Sequence, residues 1–293
     1  MELAFIVLTT ECTRVCPYCF YRTGHQNPST SLLDVSTLSL VFHDLRTIGV
    51  THIIFTGGEP LLRKDIYDII VQAKRQGFFT SLLTNGEKIT PDTIADLEVA
   101  SLDALIISLD SLVDRTLKAP KAQVIKVTLH SSIPLSLITA VTLKNAPEVK
   151  DLHDFSRSLS IGHLFGPAYL PAGSPHFKDY SIRNLPTDKW DSLREDMQAW
   201  AEYSGMERYC ELMFDFYTNG GNHNPDQCLM GTGSLVINAD GTVLPCFHRE
   251  DLTCGNVLRD DIGTIVRRLH AASSRIEDAS CFGEHCITLF TQP

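Results

Sequence analysis

Glu11-Cys12-Thr13-Arg14-Val15-Cys16-Pro17-Tyr18-Cys19-Phe20 is the stretch on which the reading of this chain turns. It places three thiols on one short loop with C-x3-C-x2-C spacing, a chelate with one position missing. Thiolates suit zinc or iron-sulfur clusters, and a structural zinc site closes its fourth position with another Cys or His. His25 is near enough in sequence to close a Cys3His zinc site. An iron-sulfur cluster with one iron left open is the other reading, and it would have room for a small chelating ligand.

Outside that loop the chain is unremarkable except for more thiols. Nine cysteines fall at 12, 16, 19, 210, 228, 246, 254, 281 and 286, in two groups separated by a cysteine-free stretch from Phe20 to Tyr209. The 293 residues are 43% apolar and 20% charged, the balance of a folded globular chain with length for one large domain or two modest ones. Lys plus Arg number 25 and Asp plus Glu 35, a net charge of −10 with the wrong sign for phosphate-backbone binding, so no nucleic acid partner is expected. No apolar run approaches the roughly 20 residues of a membrane helix, and Met1 to Thr10 lacks a basic n-region. A cytoplasmic protein with no membrane partner is expected. In that compartment, thiols at this density mean metal or redox chemistry rather than disulfides.

Outward from the loop, the periodicity alternates regularly. Leu3 to Leu8 is a short apolar run and reads as a buried first strand, with the cysteine loop at its C-terminal end. Ser36 to Ile48 has helical spacing and Gly49 follows as a C-cap. Thr51 to Phe55 is a second strand, ending in Thr56-Gly57-Gly58-Glu59-Pro60. Then come a helix at Ile66 to Ala73, a strand at Phe78 to Leu83 with the turn Thr84-Asn85-Gly86, and a helix at Pro91 to Val99 with Pro near its start. A fourth strand, Ala104 to Leu109, ends at Ser108-Leu109-Asp110-Ser111. Ala122 to Leu129 is rich in Val, Ile and Thr and reads locally as a strand, yet the repeating unit requires a helix before the strand Leu135 to Val141. The helix is taken. Val149 to Leu159 is a further helix, His163 to Phe165 a sixth strand, 166–186 a Pro- and Gly-rich connector, and Trp190 to Tyr203 a helix. This βα alternation predicts a parallel α/β sheet with functional residues at the strand C-termini.

These residues resemble the radical S-adenosylmethionine (SAM) superfamily. Its motif C-x3-C-x-aromatic-C after the first strand is matched by Cys12, Cys16, Tyr18 and Cys19, and its second-strand motif G-G-E-P by Gly57-Gly58-Glu59-Pro60. The resemblance covers about residues 1 to 185 and implies a partial (β/α)6 TIM barrel. It implies that the three cysteines hold a 4Fe-4S cluster whose open iron is chelated by the amino and carboxylate groups of SAM. Reduction, by a flavodoxin- or ferredoxin-type electron donor, then cleaves the sulfonium to a 5′-deoxyadenosyl radical. Gly57 and Gly58 would let the backbone approach the methionine end, and Glu59 would accept from its ammonium. Tyr18 is implied to lie at the adenine edge. Ser108 and Asp110 resemble positions that meet the SAM carboxylate or ribose, with strand-end capping and turn formation as the plainer role.

The second cysteine group surrounds Leu235 to Pro245, which reads as a hairpin with an Asp-Gly turn. C-x12-G-x4-C from Cys228 to Cys246 resembles the opening of the SPASM/twitch extension of radical SAM enzymes, continued by Gly255-Asn256-Val257 and a helix at Ile262 to Leu269. Cys281 and Cys286 would close it, although their C-x4-C spacing is longer than the family's usual C-x2-C or C-x3-C. Four ligands make one auxiliary 4Fe-4S cluster, or alternatively a structural zinc site. A full SPASM domain uses about seven cysteines and this region has six, so the shorter twitch form, a small C-terminal α+β domain, is expected. The expected boundaries are 1–185 for the radical SAM core, 186–225 for a helical bridge and 226–293 for the auxiliary domain.

Cys210 and Cys254 remain. Cys210 reads as a buried apolar filler. Cys254 directly precedes Gly255-Asn256 and resembles the free thiol with which related epimerases return a hydrogen atom to a substrate radical; a core cysteine or a replacement auxiliary ligand are the alternatives. The resemblance therefore implies an enzyme that abstracts hydrogen from a C-H bond. With the first cluster loop at residue 12, no leader-recognition domain is expected before the first strand, and the favoured outcome is epimerisation of a small natural product such as an aminosugar antibiotic, with Cys254 as donor. Alcohol dehydrogenation with the auxiliary cluster as electron acceptor, peptide maturation by Cα epimerisation or crosslinking, and a non-catalytic metal-binding module are the alternatives.

Overall fold

Leu3–Val7 (β1) sets the layering of the molecule. Ala4 and Ile6 join the large core shared with the helices, while Phe5 and Val7 belong to a second apolar cluster. Successive side chains of a strand point to opposite faces, so β1 is buried on both and its sequence is an unbroken apolar run. The computed structural model describes residues 1–19, 33–112, 121–170, 173–218 and 230–276.

From β1 the chain passes through α1 (Val35–Thr47), β2 (His52–Thr56), α2 (Ile66–Arg75), β3 (Phe79–Thr84), α3 (Pro91–Val99) and β4 (Ala104–Ser108). It continues through α4 (Lys121–Thr128), β5 (Leu135–Val141), α5 (Val149–Ser158) and β6 (Gly162–Pro167). The six strands pair in parallel in sequence order. This is the expected partial (β/α)6 barrel. The segment with strand-like composition, Lys121–Thr128, is helical because β4 and β5 pair in parallel, and a parallel pair needs a crossover between its members.

β6 forms one edge of the sheet. Beyond β1 on the other side lies β7 (Ser234–Ile237), parallel to β1, and then β8 (Thr242–Leu244) and β9 (Gly255–Asn256) in antiparallel order. The hairpin expected in a separate small domain thus extends the barrel's own sheet to nine strands. α8 (Ile262–Ile276) follows β9 and contributes Ile265, Leu269 and Ala272 to the large core.

Between β6 and β7 the described residues include two long helices. α6 (Thr187–Ser204) ends at Gly205, whose φ of 70° is the left-handed conformation a helix C-terminus favours. α7 (Glu207–Thr218) follows, inside the stretch 186–225 read as a helical bridge. Trp200 of α6 fastens this pair to the barrel: it is 1% exposed, donates Nε1–H to the carbonyl of His163 at 2.7 Å and sets its ring edge-on to Phe165 and Tyr209. Trp200→Phe retains most of the packing but leaves that carbonyl without its donor, and urea unfolding should show a loss of about 1–3 kcal/mol.

His163 itself is a core histidine. Its Nε2 lies 2.8 Å from Thr139 Oγ1, and burial drives its pKa from 6.5 down to about 3. A folded-state pKa below the unfolded one adds stability that is complete above the unfolded value and is lost as pH falls toward the folded value. The melting temperature of His163→Phe, measured from about pH 6.5 to about pH 4, should therefore decline less steeply than that of the wild type.

Candidate functional site

The loops after β1, β2, β3 and β4 carry the motif residues to one end of the sheet, the C-terminal edge at which α/β folds place their chemistry. There the G-G-E-P loop is clasped to the cysteine loop. Gly58 N–H donates to the Thr9 carbonyl and Glu59 N–H to the Glu11 carbonyl, both at 2.7 Å. Gly57 has φ of +151°, and a Cβ on it would lie 2.4 Å from the Thr9 oxygen; one on Gly58 would lie 2.2 Å from the Glu11 oxygen. The space that a side chain would take at either glycine is thus filled by the backbone of the cysteine loop.

Glu59 is fully buried. Oε1 accepts from Thr84 Oγ1 at 2.7 Å and from Leu61 N–H at 3.0 Å, and Oε2 accepts from Asn85 N–H at 2.8 Å. Burial pushes its pKa up, and these hydrogen bonds oppose the shift. Within the protein its partners are donors at the end of β3 and in its own loop.

Asn85 extends the same connection, and the sequence reading had taken it only as a turn residue. Its Nδ2 donates to Thr13 Oγ1 at 3.1 Å and to Cys12 Sγ at 3.7 Å, while its Oδ1 accepts from Glu87 N–H at 2.8 Å. Glu87 in turn pairs with Arg14 Nε at 3.0 Å. Arg14 N–H is a second donor to Cys12 Sγ, at 3.4 Å. The signal for Asn85 was its place: an amide side chain in the first turn after a strand, level with the other two motifs.

On the far side of the loop, the Tyr18 hydroxyl donates to Asp110 Oδ2 at 2.7 Å, and Asp110 Oδ1 accepts from Ala140 N–H at 2.9 Å. Asn145 Nδ2 closes the turn by donating to the carbonyls of Asp110 and Ala140. Burial, and then the neighbouring Asp110 charge, hold the Tyr18 hydroxyl protonated far above its ordinary range. The same two causes, in the same order, raise the Cys16 thiol. Asp110 thus closes the turn at the end of β4 and holds the Tyr18 hydroxyl. Ser108 is half-buried between the core residues Ile107 and Leu109, and so faces away from the helices.

Of the second cysteine group, Cys246 is described and Cys228, Cys281 and Cys286, like His25, lie outside the described residues. Cys246 belongs to the cluster of Phe5, Val7 and Val236, against which Cys19 also packs, so it shares a face of the sheet with the first cysteine loop. Its Sγ accepts from His248 N–H at 3.4 Å. Tyr169, beyond β6, and His248, beyond β8, pack with ring planes tilted by 33° and centroids 4.0 Å apart, and join the two flanks of the open sheet.

Cys254 is elsewhere. It is 1% exposed in the large core with Val243, Ile265 and Leu269, its Sγ–H donates to the Leu252 carbonyl at 3.3 Å, and burial pushes its pKa up to about 11. This thiol belongs to the core on the helix side, apart from the cluster that Cys246 and Cys19 share. Cys210 is likewise buried, in α7, with its thiol raised to about 11.

Among the described residues no three His, Cys, Asp or Glu side chains converge on a point that would hold a single metal ion. Three half-buried cysteines around one loop, with two N–H donors on one sulfur, suit an inorganic cluster that gives each thiolate its own iron. Residues 6–130 match the model of the radical SAM superfamily, and residues 228–286 match that of the SPASM iron-sulfur cluster-binding domain. The chain belongs to the radical SAM superfamily, SPASM type, and is an enzyme of that class, with SAM and iron-sulfur clusters as its cofactors.

A PqqA peptide cyclase of Ruegeria pomeroyi is 28% identical over 257 residues, which make up 84% of this chain and 67% of that protein. Similar folds occur in anSMEcpe with bound AdoMet and Cp18Cys peptide (TM-score 0.66, 18% identity, covering 92% of this chain and 82% of that one). They also occur in Streptococcus suis SuiB bound to precursor peptide SuiA (0.66, 14%, 90% and 64%). BtrN in complex with AdoMet and 2-DOIA aligns along all of this chain and 95% of its own, with a TM-score of 0.57 and 14% identity.

A methyl group at residue 58 cannot be accommodated without moving backbone on one of the two clasped loops. Gly58→Ala should therefore bind much less iron after anaerobic reconstitution than wild type, while its far-ultraviolet circular dichroism stays close to native.

Proposed function

We propose that this enzyme oxidises a peptide substrate at an unactivated C–H bond. Bound SAM and its cluster supply a 5′-deoxyadenosyl radical, to which the substrate gives up a hydrogen atom; loss of one further electron and a proton makes the change a net two-electron oxidation. Cys12, Cys16 and Cys19 would hold the SAM-binding cluster, with Gly57, Gly58 and Glu59 keeping their loop in place. Ser108 and the Tyr18–Asp110 pair would border SAM. Cys246, with Cys228, Cys281 and Cys286, would hold an auxiliary cluster.

The observation that carries this reading is the division of the thiols between the two faces of the sheet. Cys246 shares a face with Cys19, on the side where an electron acceptor is useful, whereas Cys254 is enclosed in the core with α8. A redox-neutral inversion needs a thiol beside the substrate radical. The peptide is favoured over a small molecule by the curated relative, which is named for peptide cyclisation. Dehydrogenation of a small alcohol is the second reading, supported by the end-to-end likeness to BtrN, whose complex holds 2-DOIA. A flavodoxin- or ferredoxin-type protein is the proposed electron donor.

The test is a turnover assay of reduced, reconstituted enzyme with SAM and a peptide encoded beside its gene, run in deuterated water. A product two mass units lighter than the peptide, free of solvent deuterium and formed with 5′-deoxyadenosine, is expected, and Cys254→Ala should give the same product at a similar rate. A product of unchanged connectivity carrying one solvent deuterium, lost in Cys254→Ala, would restore the inversion reading.

A further inference from the structure

Two N–H groups donate to the sulfur of Cys12. Arg14 N–H comes from the cysteine loop itself, as expected of a tight turn, but Asn85 Nδ2 reaches Sγ from the turn after β3, 73 residues away in sequence. Asn85 is held for this on both sides. Its backbone N–H is bound to the buried Glu59 carboxylate, and its Oδ1 is fixed by Glu87 N–H, so the amide can present only its NH2 group to the cysteine loop. Thr13 Oγ1 takes part of that group, and Cys12 Sγ is the other acceptor.

Hydrogen bonds to cluster sulfurs are among the determinants of an iron-sulfur reduction potential, because each extra electron raises the negative charge on sulfur and strengthens the bond. We propose that Asn85 is a positioning residue that raises the reduction potential of the SAM-binding cluster by donating an N–H···S hydrogen bond to Cys12, and that its backbone bond to Glu59 keeps this donor in register with the G-G-E-P loop. The proposal rests on the radical SAM assignment of the cysteine loop. It gives this site a part in making the cluster reducible, separate from the binding of SAM.

The experiment is an electron-paramagnetic-resonance redox titration of the reconstituted full chain, following the reduced cluster signal whose shape changes on adding SAM. Asn85→Ser keeps an oxygen to cap Glu87 N–H but is too short to reach Cys12, and Asn85→Asp keeps the shape of the turn while setting an acceptor against the sulfur. Thr13→Val removes the competing acceptor and leaves the N–H···S bond. Asn85→Ser is expected to lower the equilibrium constant for one-electron reduction about tenfold, a midpoint shift of about 59 mV. Asn85→Asp should lower it at least as far, and Thr13→Val should leave it within about twofold of wild type.

Equal midpoints in wild type and Asn85→Ser would overturn the proposal. So would a Thr13→Val shift as large as that of Asn85→Ser, which would trace the effect to loop geometry. Failure of both Asn85 variants to retain a cluster that Thr13→Val retains would make Asn85 a structural brace and overturn the tuning role. A wild-type cluster signal indifferent to SAM would remove the premise itself, and is distinguishable from the other outcomes because it appears before any substitution is made.

Discussion

The arrangement at the head of the barrel depends on one buried carboxylate. Removing a charged Glu59 from water is costly unless donors replace the lost hydration. The end of β3 supplies Thr84 Oγ1–H and Asn85 N–H, and the turn directly after Glu59 itself supplies Leu61 N–H. The carboxylate thus ties the end of β2 to the end of β3. Through the close backbone contacts at Gly57 and Gly58 it also ties both to the cysteine loop beyond β1. Three neighbouring parallel strands deliver three motifs, and a single desolvated group keeps them together.

A second constraint comes from the pleat. Because side chains alternate across a sheet, adjacent thiol-bearing segments can belong to different compartments of the molecule. Cys246 and Cys254 are close in sequence and flank the β8–β9 pairing, yet one packs with Phe5 and Val7 and the other with Ile265 and Leu269. Burial outweighs the opposing charge of Arg268 and leaves Cys254 a protonated thiol bonded to the Leu252 carbonyl, the behaviour of a core residue.

Much of the fold was legible. Short apolar runs separated by amphipathic stretches of regular length can satisfy their hydrogen bonds and bury both faces only as parallel strands with crossover helices, and the strand Leu135–Val141 and the helix Pro91–Val99 fall at the expected residues. Lys121–Thr128 shows tertiary demand overriding local preference. α7 has its buried residues Tyr209, Cys210, Met213, Phe214 and Phe216 on one face, and the sequence reading carried this stretch only as part of the helical bridge. The union of the hairpin with β1 was not legible, since strand pairing across more than 200 residues leaves no local trace.

The sequence by itself determined the superfamily, the first cysteine loop and the G-G-E-P loop, because metal ligation and close backbone contact demand particular residues at particular spacings. Tertiary structure alone decided what several of those residues do. Gly57 and Gly58 pack against Thr9 and Glu11, Glu59 holds strand ends, Asp110 holds Tyr18, and Asn85, read as a turn, reaches the Cys12 sulfur. A spacing records which atoms can come together locally. Which partner a buried polar group finally takes is set by whatever the packed sheet brings within hydrogen-bonding distance of it.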